Sequence, residues 1–337
     1  MTTLSSTHAY RPWGILDWVL KRSPPINWSL ISCFGTESRS LAVLQQLIEG
    51  HILVESLLYR VNDKPSRYKE LTKQRIKERL TELVRLGISP DIVQQHDIAE
   101  THDEILRPLE TFIASGQSNL ILDVTSFPKR FFFPMFKRLL SYPKIENIVV
   151  TYTKPRCYTP GKLAENFDDW AHLPMFTGSY IQESAKMLIV NVGFAPLGLK
   201  RELGQGEPGK PIKLLFPFPA PMRSVYRAWG FVQNLQKGRS YDSFDLYRTD
   251  AKDMSSAFDR LISLTDGGKL RTELAPFGPK PISIAMCIFA VLTESEVFYT
   301  QPTVYHPDYS TGVSHVNGVP ETYAYWIRLN GRDFYTL

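Results

Sequence analysis

NLILDVTSFPKRFFFPMFKRLL (residues 119–140) and KLRTELAPFGPKPISIAMCIFAVL (269–292) run in the same order: a short apolar strand, a tight turn, Pro-Lys, and an apolar helix. A second pair of matches follows them. Tyr152-Thr153-Lys154-Pro155-Arg156-Cys157-Tyr158-Thr159-Pro160 and Tyr299-Thr300-Gln301-Pro302-Thr303-Val304-Tyr305-His306-Pro307 both read Y-T-x-P-x-x-Y-x-P, each after a strand-like run. Self-similarity of this kind is the mark of a repeated structural unit. Parallel strands need crossover helices, so strand–helix alternation in each copy predicts parallel-sheet α/β units.

Working outward, the first copy supplies strands at WSLISCF (28–34), ILVESLLYRV (52–61), DIVQQHD, LILDV and ENIVVTYT. Helices are expected at ESRSLAVLQQLIEG, 66–87, ETHDEILRPLETFIASG and from about Pro128 to Leu140, with Gly50 and Gly87 as C-terminal stops. The second copy reads MLIVNVGF (187–194), KPIKLLFPF (210–218) and SFDLYRT as strands, and 224–238 and DMSSAFDRLISL as helices. The organisation expected is an N-terminal extension (1–27), a Rossmann-like domain (28–160), a linker (161–186), a second Rossmann-like domain (187–310) and a C-terminal hairpin (311–337). Asn330-Gly331 would make the hairpin turn, because a type I′ turn needs positive φ at both central residues. The two domains are expected to pair as a pseudo-dimer.

Composition narrows the classes. Hydrophobic residues make up 43% of the 337 and charged residues 22%, an ordinary globular balance that excludes a disordered or collagen-like chain. No run approaches the roughly 20 apolar residues of a membrane helix. MTTLSSTHAYRPWG lacks the basic start and apolar core of a secretory signal. Cys33, Cys157 and Cys287 lie far apart and form no CxxC, so neither a disulfide framework nor a zinc site is expected, which fits a cytoplasmic protein. A net charge of +5 mildly favours an anionic partner without indicating nucleic acid.

In open parallel sheets, ligands sit beyond the carboxyl ends of the strands, where helix N-termini present free N–H groups. The loops after the first and fourth strands of the first copy carry Ser38, Arg39, Asp123, Thr125, Ser126 and Lys129. Hydroxyls and a base beside a helix start suit an anion, while Thr125 and Ser126 read equally well as caps of the following helix. In the second copy the acid and hydroxyls are gone, but Gly278 would admit close backbone approach and Lys280 aligns with Lys129. Any site shared by the two copies is therefore asymmetric. The tyrosines of the repeat suit either base stacking or packing of the domain.

Other motifs lead nowhere. Gly204-Gln205-Gly206-Glu207-Pro208-Gly209-Lys210 fits G-x4-G-K, but Pro211 stands where a P-loop has the Ser or Thr that binds magnesium. No GxGxxG follows the first strand, no HExxH occurs, and there is no G-x-S-x-G nucleophile elbow. His96 and His102, with Asp97 and Asp103, read as a strand-to-helix loop capped by Thr101 or Asp103. No metal, cofactor or catalytic residue is indicated.

A strand ending Asp123-Val124-Thr125-Ser126, then Lys129 and an apolar helix, resembles the signature of CARF domains, with Gly278 and Lys280 matching in the second copy. Two such units in one chain resemble the SAVED domain, a fused CARF-like pair. The resemblance covers about 28–160 and 187–307, and the family's Gly-Gly-Thr-Lys turn is replaced by Ser-Phe-Pro-Lys and Phe-Gly-Pro-Lys. It implies a sensor or regulatory subunit of a prokaryotic antiviral defence system. Such a subunit would bind an anionic nucleotide-like ligand, such as a cyclic oligonucleotide, between the two halves, with a separate chain as effector. Two alternatives stand beside it: a phosphodiesterase degrading such a ligand, and a ligand-free scaffold using the Phe216-Pro217-Phe218-Pro219-Ala220-Pro221 loop and the C-terminal hairpin as partner surfaces.

Overall fold

A computed structural model describes residues 11–22, 26–178, 187–195, 199, 211–220, 222–236 and 244–337. The G-x4-G-K segment (204–210), part of the N-terminal extension and part of the linker lie outside the described residues.

The chain forms a mixed α/β structure with two main sheets. It opens with β1 (Trp13–Ile15) and α1 (Leu16–Arg22). Then come β2 (Trp28–Cys33), α2 (Ala42–Glu49), β3 (Leu53–Asn62), α3 (Lys69–Arg85), β4 (Val93–Asp97), α4 (His102–Ala114), β5 (Asn119–Asp123), α5 (Lys129–Leu140) and β6 (Asn147–Thr153). Three short strands follow, β7 (Pro155–Tyr158), β8 (Ala164–Phe167) and β9 (Ala171–His172). The next set is β10 (Met187–Asn191), β11 (Ile212–Pro217), α6 (Met222–Gln236), β12 (Phe244–Thr249), α7 (Met254–Leu264), β13 (Thr272–Pro276), α8 (Lys280–Thr293) and β14 (Glu296–Tyr299). The chain closes with β15 (Pro302–Tyr305), β16 (Ser310–Val313), β17 (His315–Val316), β18 (Val319–Pro320), β19 (Thr322–Leu329) and β20 (Arg332–Asp333).

The first sheet orders its parallel strands β4-β3-β2-β5-β6 and the second β12-β11-β10-β13-β14, the Rossmann order in both. Central strands are covered on both faces, which is why WSLISC and MLIVN read as unbroken buried runs. Helix starts follow local chemistry. Thr101 and Glu104 cap α4 reciprocally, each side chain meeting the other's backbone N–H. By contrast, the helix expected at Glu37 opens as a 3-10 turn over Ser38–Leu41, with no side-chain cap from Glu37.

Each sheet is completed by strands from beyond the other. The antiparallel edge of the second sheet is β9, which pairs with β14, while β19 pairs antiparallel with β6 in the first sheet. Likewise β7 pairs with β16, and β15 with β8. Residues read as a linker thus hold strands of the second sheet's surroundings, and the C-terminal segment joins the first sheet. Asn330 and Gly331 do turn β19 into β20 with φ of 48° and 75°. A single apolar cluster takes in Leu122, Phe133 and Ile148 from one half and Leu188, Leu274 and Ile288 from the other. α5 and α8 meet within it, where the Cys287 thiol lies 3.8 Å from the Phe133 carbonyl. No described helix is long and apolar enough to cross a membrane.

Candidate functional site

The two copies of Y-T-x-P-x-x-Y-x-P occupy matching places. Tyr152 is the penultimate residue of β6 and Tyr299 the last of β14, Pro155 and Pro302 begin β7 and β15, and Tyr158 and Tyr305 end them. Tyr152 and Tyr158 hydroxyls lie 3.3 Å apart, Tyr158 packs edge-on to Tyr309, and Tyr309 lies 6.2 Å from Tyr305. Burial raises the phenols of Tyr158, Tyr299, Tyr305 and Tyr309 above their usual range, the last to about 12. At neutral pH these rings are neutral, apolar faces with hydroxyl edges.

The first lysines of α5 and α8 cross between the halves in opposite fashion. Lys280 Nζ donates to the carbonyls of Val124, Thr125 (2.7 Å) and Phe127 (2.7 Å), all in the turn before α5. Burial, together with the charges of Arg39 and Lys129, pushes this ammonium down to about 7. The carbonyls work the other way, since three acceptors need all three N–H bonds of the charged form. Lys129 Nζ sits 5.1 Å from the ring centre of Tyr299 at the end of β14. The side chain is half-buried and makes no hydrogen bond or ion pair among the described residues, and desolvation pushes it down to about 8.

The remaining predicted residues separate by role. Asp123 is wholly buried and accepts from Ser32 Oγ (3.1 Å), Thr125 N (3.1 Å), Thr125 Oγ1 (2.5 Å) and Thr151 Oγ1 (3.2 Å). Burial raises its carboxyl, with the Thr125 and Ser32 contacts opposing that rise. Thr125 Oγ1 also accepts from Thr153 N at 2.8 Å. Both residues brace the strand ends rather than face outward. Arg39 is buried, donates to Glu37 and to the Thr153 carbonyl (2.9 Å), and lies over the Tyr152 ring. Burial works against its charge, but Glu37 together with Tyr152 and Tyr158 outweighs that and holds its guanidinium protonated. Ser38 is half-buried at the start of the 3-10 turn.

Ser126 differs from its neighbours. Its Oγ is buried with no hydrogen-bond partner and faces Gly35, in the loop after β2. In the second half the corresponding loops are pressed together. A Cβ on Gly278 would stand 2.1 Å from Asn191 Oδ1 and 2.4 Å from the Val192 carbonyl, and one on Gly193 would stand 2.3 Å from the Phe277 carbonyl. Gly278 therefore answers to backbone packing.

The geometry brings Lys129 to Tyr299, while the charges of Arg39 and Glu37 are felt at Lys280 and at Tyr309. Tyr299 was legible only as half of a repeat, and Glu37 as a member of a polar loop. Thr300 and Gln301, both buried, hold an unpartnered Oγ1 and Oε1, and in the sequence they stood out only as members of the same repeat. Among the described residues no cluster of His, Cys, Asp or Glu could hold a metal ion.

No family model matches this sequence, and no curated protein resembles it significantly. Two solved structures were compared in fold. A functionally unknown protein, PA1789, from Pseudomonas aeruginosa PAO1 has 16% identity and a TM-score of 0.23, with 82% of this chain and 92% of that one covered. A ketoreductase from the first module of phoslactomycin biosynthesis in Streptomyces sp. HK803 has 12% identity and a TM-score of 0.20, with 84% and 67% covered. Likenesses at that level carry no argument about fold or function.

Proposed function

We propose that this chain binds an anionic, nucleotide-like ligand where the carboxyl ends of its two sheets meet, and that it serves as a cytoplasmic sensor or regulatory subunit of a prokaryotic antiviral system. In this reading the halves are a fused, CARF-like pair, and the effector is a separate chain. The observation that carries the ligand is Lys129: a half-buried cation at the first position of α5 with no hydrogen bond or ion pair among the described residues, three residues after the unpartnered hydroxyl of Ser126. An unpaired buried charge costs stability, and a negatively charged ligand supplies the missing partner. The neutral ring of Tyr299 beside it offers a face on which a base can stack. The antiviral role rests on the resemblance of Asp123-Val124-Thr125-Ser126 and Lys129 to the CARF signature.

Melting temperature measured with cyclic di-, tri- and tetranucleotides, nucleoside monophosphates, NAD and ATP tests the reading. A ligand a hundredfold above its Kd adds about 2.7 kcal/mol, a readily visible shift. A shift with one of them, lost in Lys129→Ala, is the expected result. No shift with any of them overturns the proposal. A second reading, the interaction scaffold, is favoured by the exposed Phe218, Met222, Tyr226 and Trp229 at and along α6, and recovery of a stoichiometric protein partner without any nucleotide shift would select it.

A further inference from the structure

The two sheets leave their edges unequally protected. An unpaired edge strand is a template for another strand, and folded proteins blunt such edges by shortness or by polar side chains. In the first sheet the edges are β1, of three residues, and β4, written Val93-Gln94-Gln95-His96-Asp97 with Gln94, Gln95 and Asp97 exposed. In the second sheet one edge is β9, of two residues. The other is β12, six residues long, paired only to β11 among the described residues and carrying an exposed Leu246.

That leucine belongs to a larger apolar surface. Register sets Leu246 beside Leu214 and Arg248 beside Phe216, so Phe216, Leu246 and Arg248 share one face of the sheet. Trp229 packs edge-on to Phe216, which makes this the face of α6, and Arg248 lies over Phe218 in the loop entering that helix. Met222, Tyr226 and Trp229 stand at i, i+4 and i+7, one stripe along α6, with Met222 73% and Tyr226 70% exposed. Arg227, on another flank of the helix, donates to the carbonyls of Thr159 and Gly161 in the first half. The stripe is turned away from that contact.

A second copy of this chain can pair with β12 only in certain registers. The two-fold axis relating two antiparallel edges stands perpendicular to the sheet and keeps every side chain on its own face. Opposed residues share a face and faces alternate along a strand, so the axis must lie where one residue meets its own copy. Centred on Asp245 or on Arg248, the pairing sets like charges directly opposite. Centred on Tyr247, it sets Leu246 against an arginine. Centred on Leu246, it sets leucine on leucine and Phe244 against Arg248 of the second copy, a cation beside a ring. On the other face Asp245 then meets Tyr247 of the second copy. Within one chain that tyrosine's hydroxyl lies 3.4 Å from Lys213 Nζ, the same ammonium that holds Asp245 at 2.8 Å.

We propose that β12 is the interface of a homodimer. Two chains join by antiparallel pairing of β12 about Leu246, making one continuous sheet, and the Met222–Tyr226–Trp229 stripe faces the second copy across the junction. Such a contact is isologous and closes at two chains. It stands apart from the nucleotide reading.

Sedimentation velocity of the full chain over a range of micromolar concentrations, without ligand, tests the assembly, and an engineered cysteine tests its register. The expected mass is twice that of the chain, falling to one chain in Leu246→Lys, which gives this edge the charge that protects natural ones. Directly opposed strand residues have Cα atoms about 4.5–5.5 Å apart, within the span of a disulfide. In a Cys157→Ser background, where the remaining cysteines are buried, Leu246→Cys should oxidise to a covalent dimer, and Val54→Cys, on the exposed part of β3, should not. A chain that sediments as a monomer at every concentration overturns the proposal, whether or not it binds a nucleotide. A dimer that survives Leu246→Lys and leaves Leu246→Cys without a cross-link has its interface elsewhere and overturns it too. Unchanged far-ultraviolet circular dichroism of Leu246→Lys is the folding control; should that variant unfold, the Leu246→Cys cross-link decides.

Discussion

At Lys129 the side chain and the fold pull in opposite directions. Its ammonium is held down to about 8 by burial against an ordinary value near 10.5. Below pH 8 folded and unfolded chains are both charged there, and the folded state bears the full desolvation cost. Between pH 8 and 10.5 the folded chain sheds the proton while the unfolded chain keeps it, so stability rises with pH over that window. Lys129→Met should therefore raise stability at pH 7 by about 1–2 kcal/mol, discounting for partial exposure, and the gain should vanish as pH approaches 10.5. Urea denaturation of both proteins from pH 6.5 to 10.5 checks this; a destabilised variant at pH 7 would show that the lysine has a partner. The glycines offer a second contrast. Gly278→Ala places a methyl within 2.4 Å of a backbone carbonyl and should cost several kcal/mol, on the order of the worst overpacked substitutions. Gly35→Ala meets only side-chain atoms of Ser126 and Ser40, none nearer than 3.4 Å, and should change the melting temperature little.

Among the elements, the turn before α5 is governed from the other half of the chain. Removing the cation in Lys280→Met leaves three carbonyls of that turn unpaired, a loss on the order of 3 kcal/mol once relief of a buried charge is set against it. Two aligned lysines are thus expected to change stability with opposite signs when truncated to methionine, and parallel denaturation of the two variants reads this directly. Such a difference is invisible along the chain. Lys129 and Lys280 follow the same Pro and precede the same kind of helix, and only the tertiary path decides that one meets carbonyls and the other an aromatic face. What the sequence does display is periodicity and punctuation: WSLISC, NLILD and MLIVN read as buried strands because both faces are covered, and Thr101 with Glu104 announces the start of α4. β7 and β16, written PRCY and STGV, have neither a long apolar run nor clear alternation, so their pairing could not be read. Gly278 shows the same limit at the site. A glycine in a ligand loop and a glycine under a neighbouring carbonyl are the same letter.

On the scale of the whole molecule, the halves share strands as well as a core. β8 and β9 follow the first five-strand unit but pair with β15 and β14, and β16 and β19 follow the second but pair with β7 and β6. A fragment ending at residue 160 would leave β7 and β6 without β16 and β19, exposing an unpaired edge and the face of α5 that α8 covers. Neither 11–160 nor 187–337 is expected to fold by itself. A chain cut once within 179–186, through an inserted protease site, should instead stay together, because both pieces remain threaded through each other's sheets. Size exclusion before and after the cut distinguishes the outcomes, and separation of the pieces would mean that the exchanged strands contribute little. One consequence concerns inheritance more than folding. In a symmetric assembly of two identical chains, every change to one binding loop is imposed on its twin, and a lysine cannot become a structural clasp in one copy while remaining free in the other. Carrying both halves on one polypeptide lifts that coupling, so each loop can be selected for its own task, and Lys280 can clasp three carbonyls of the other half while its counterpart Lys129 keeps only the face of Tyr299.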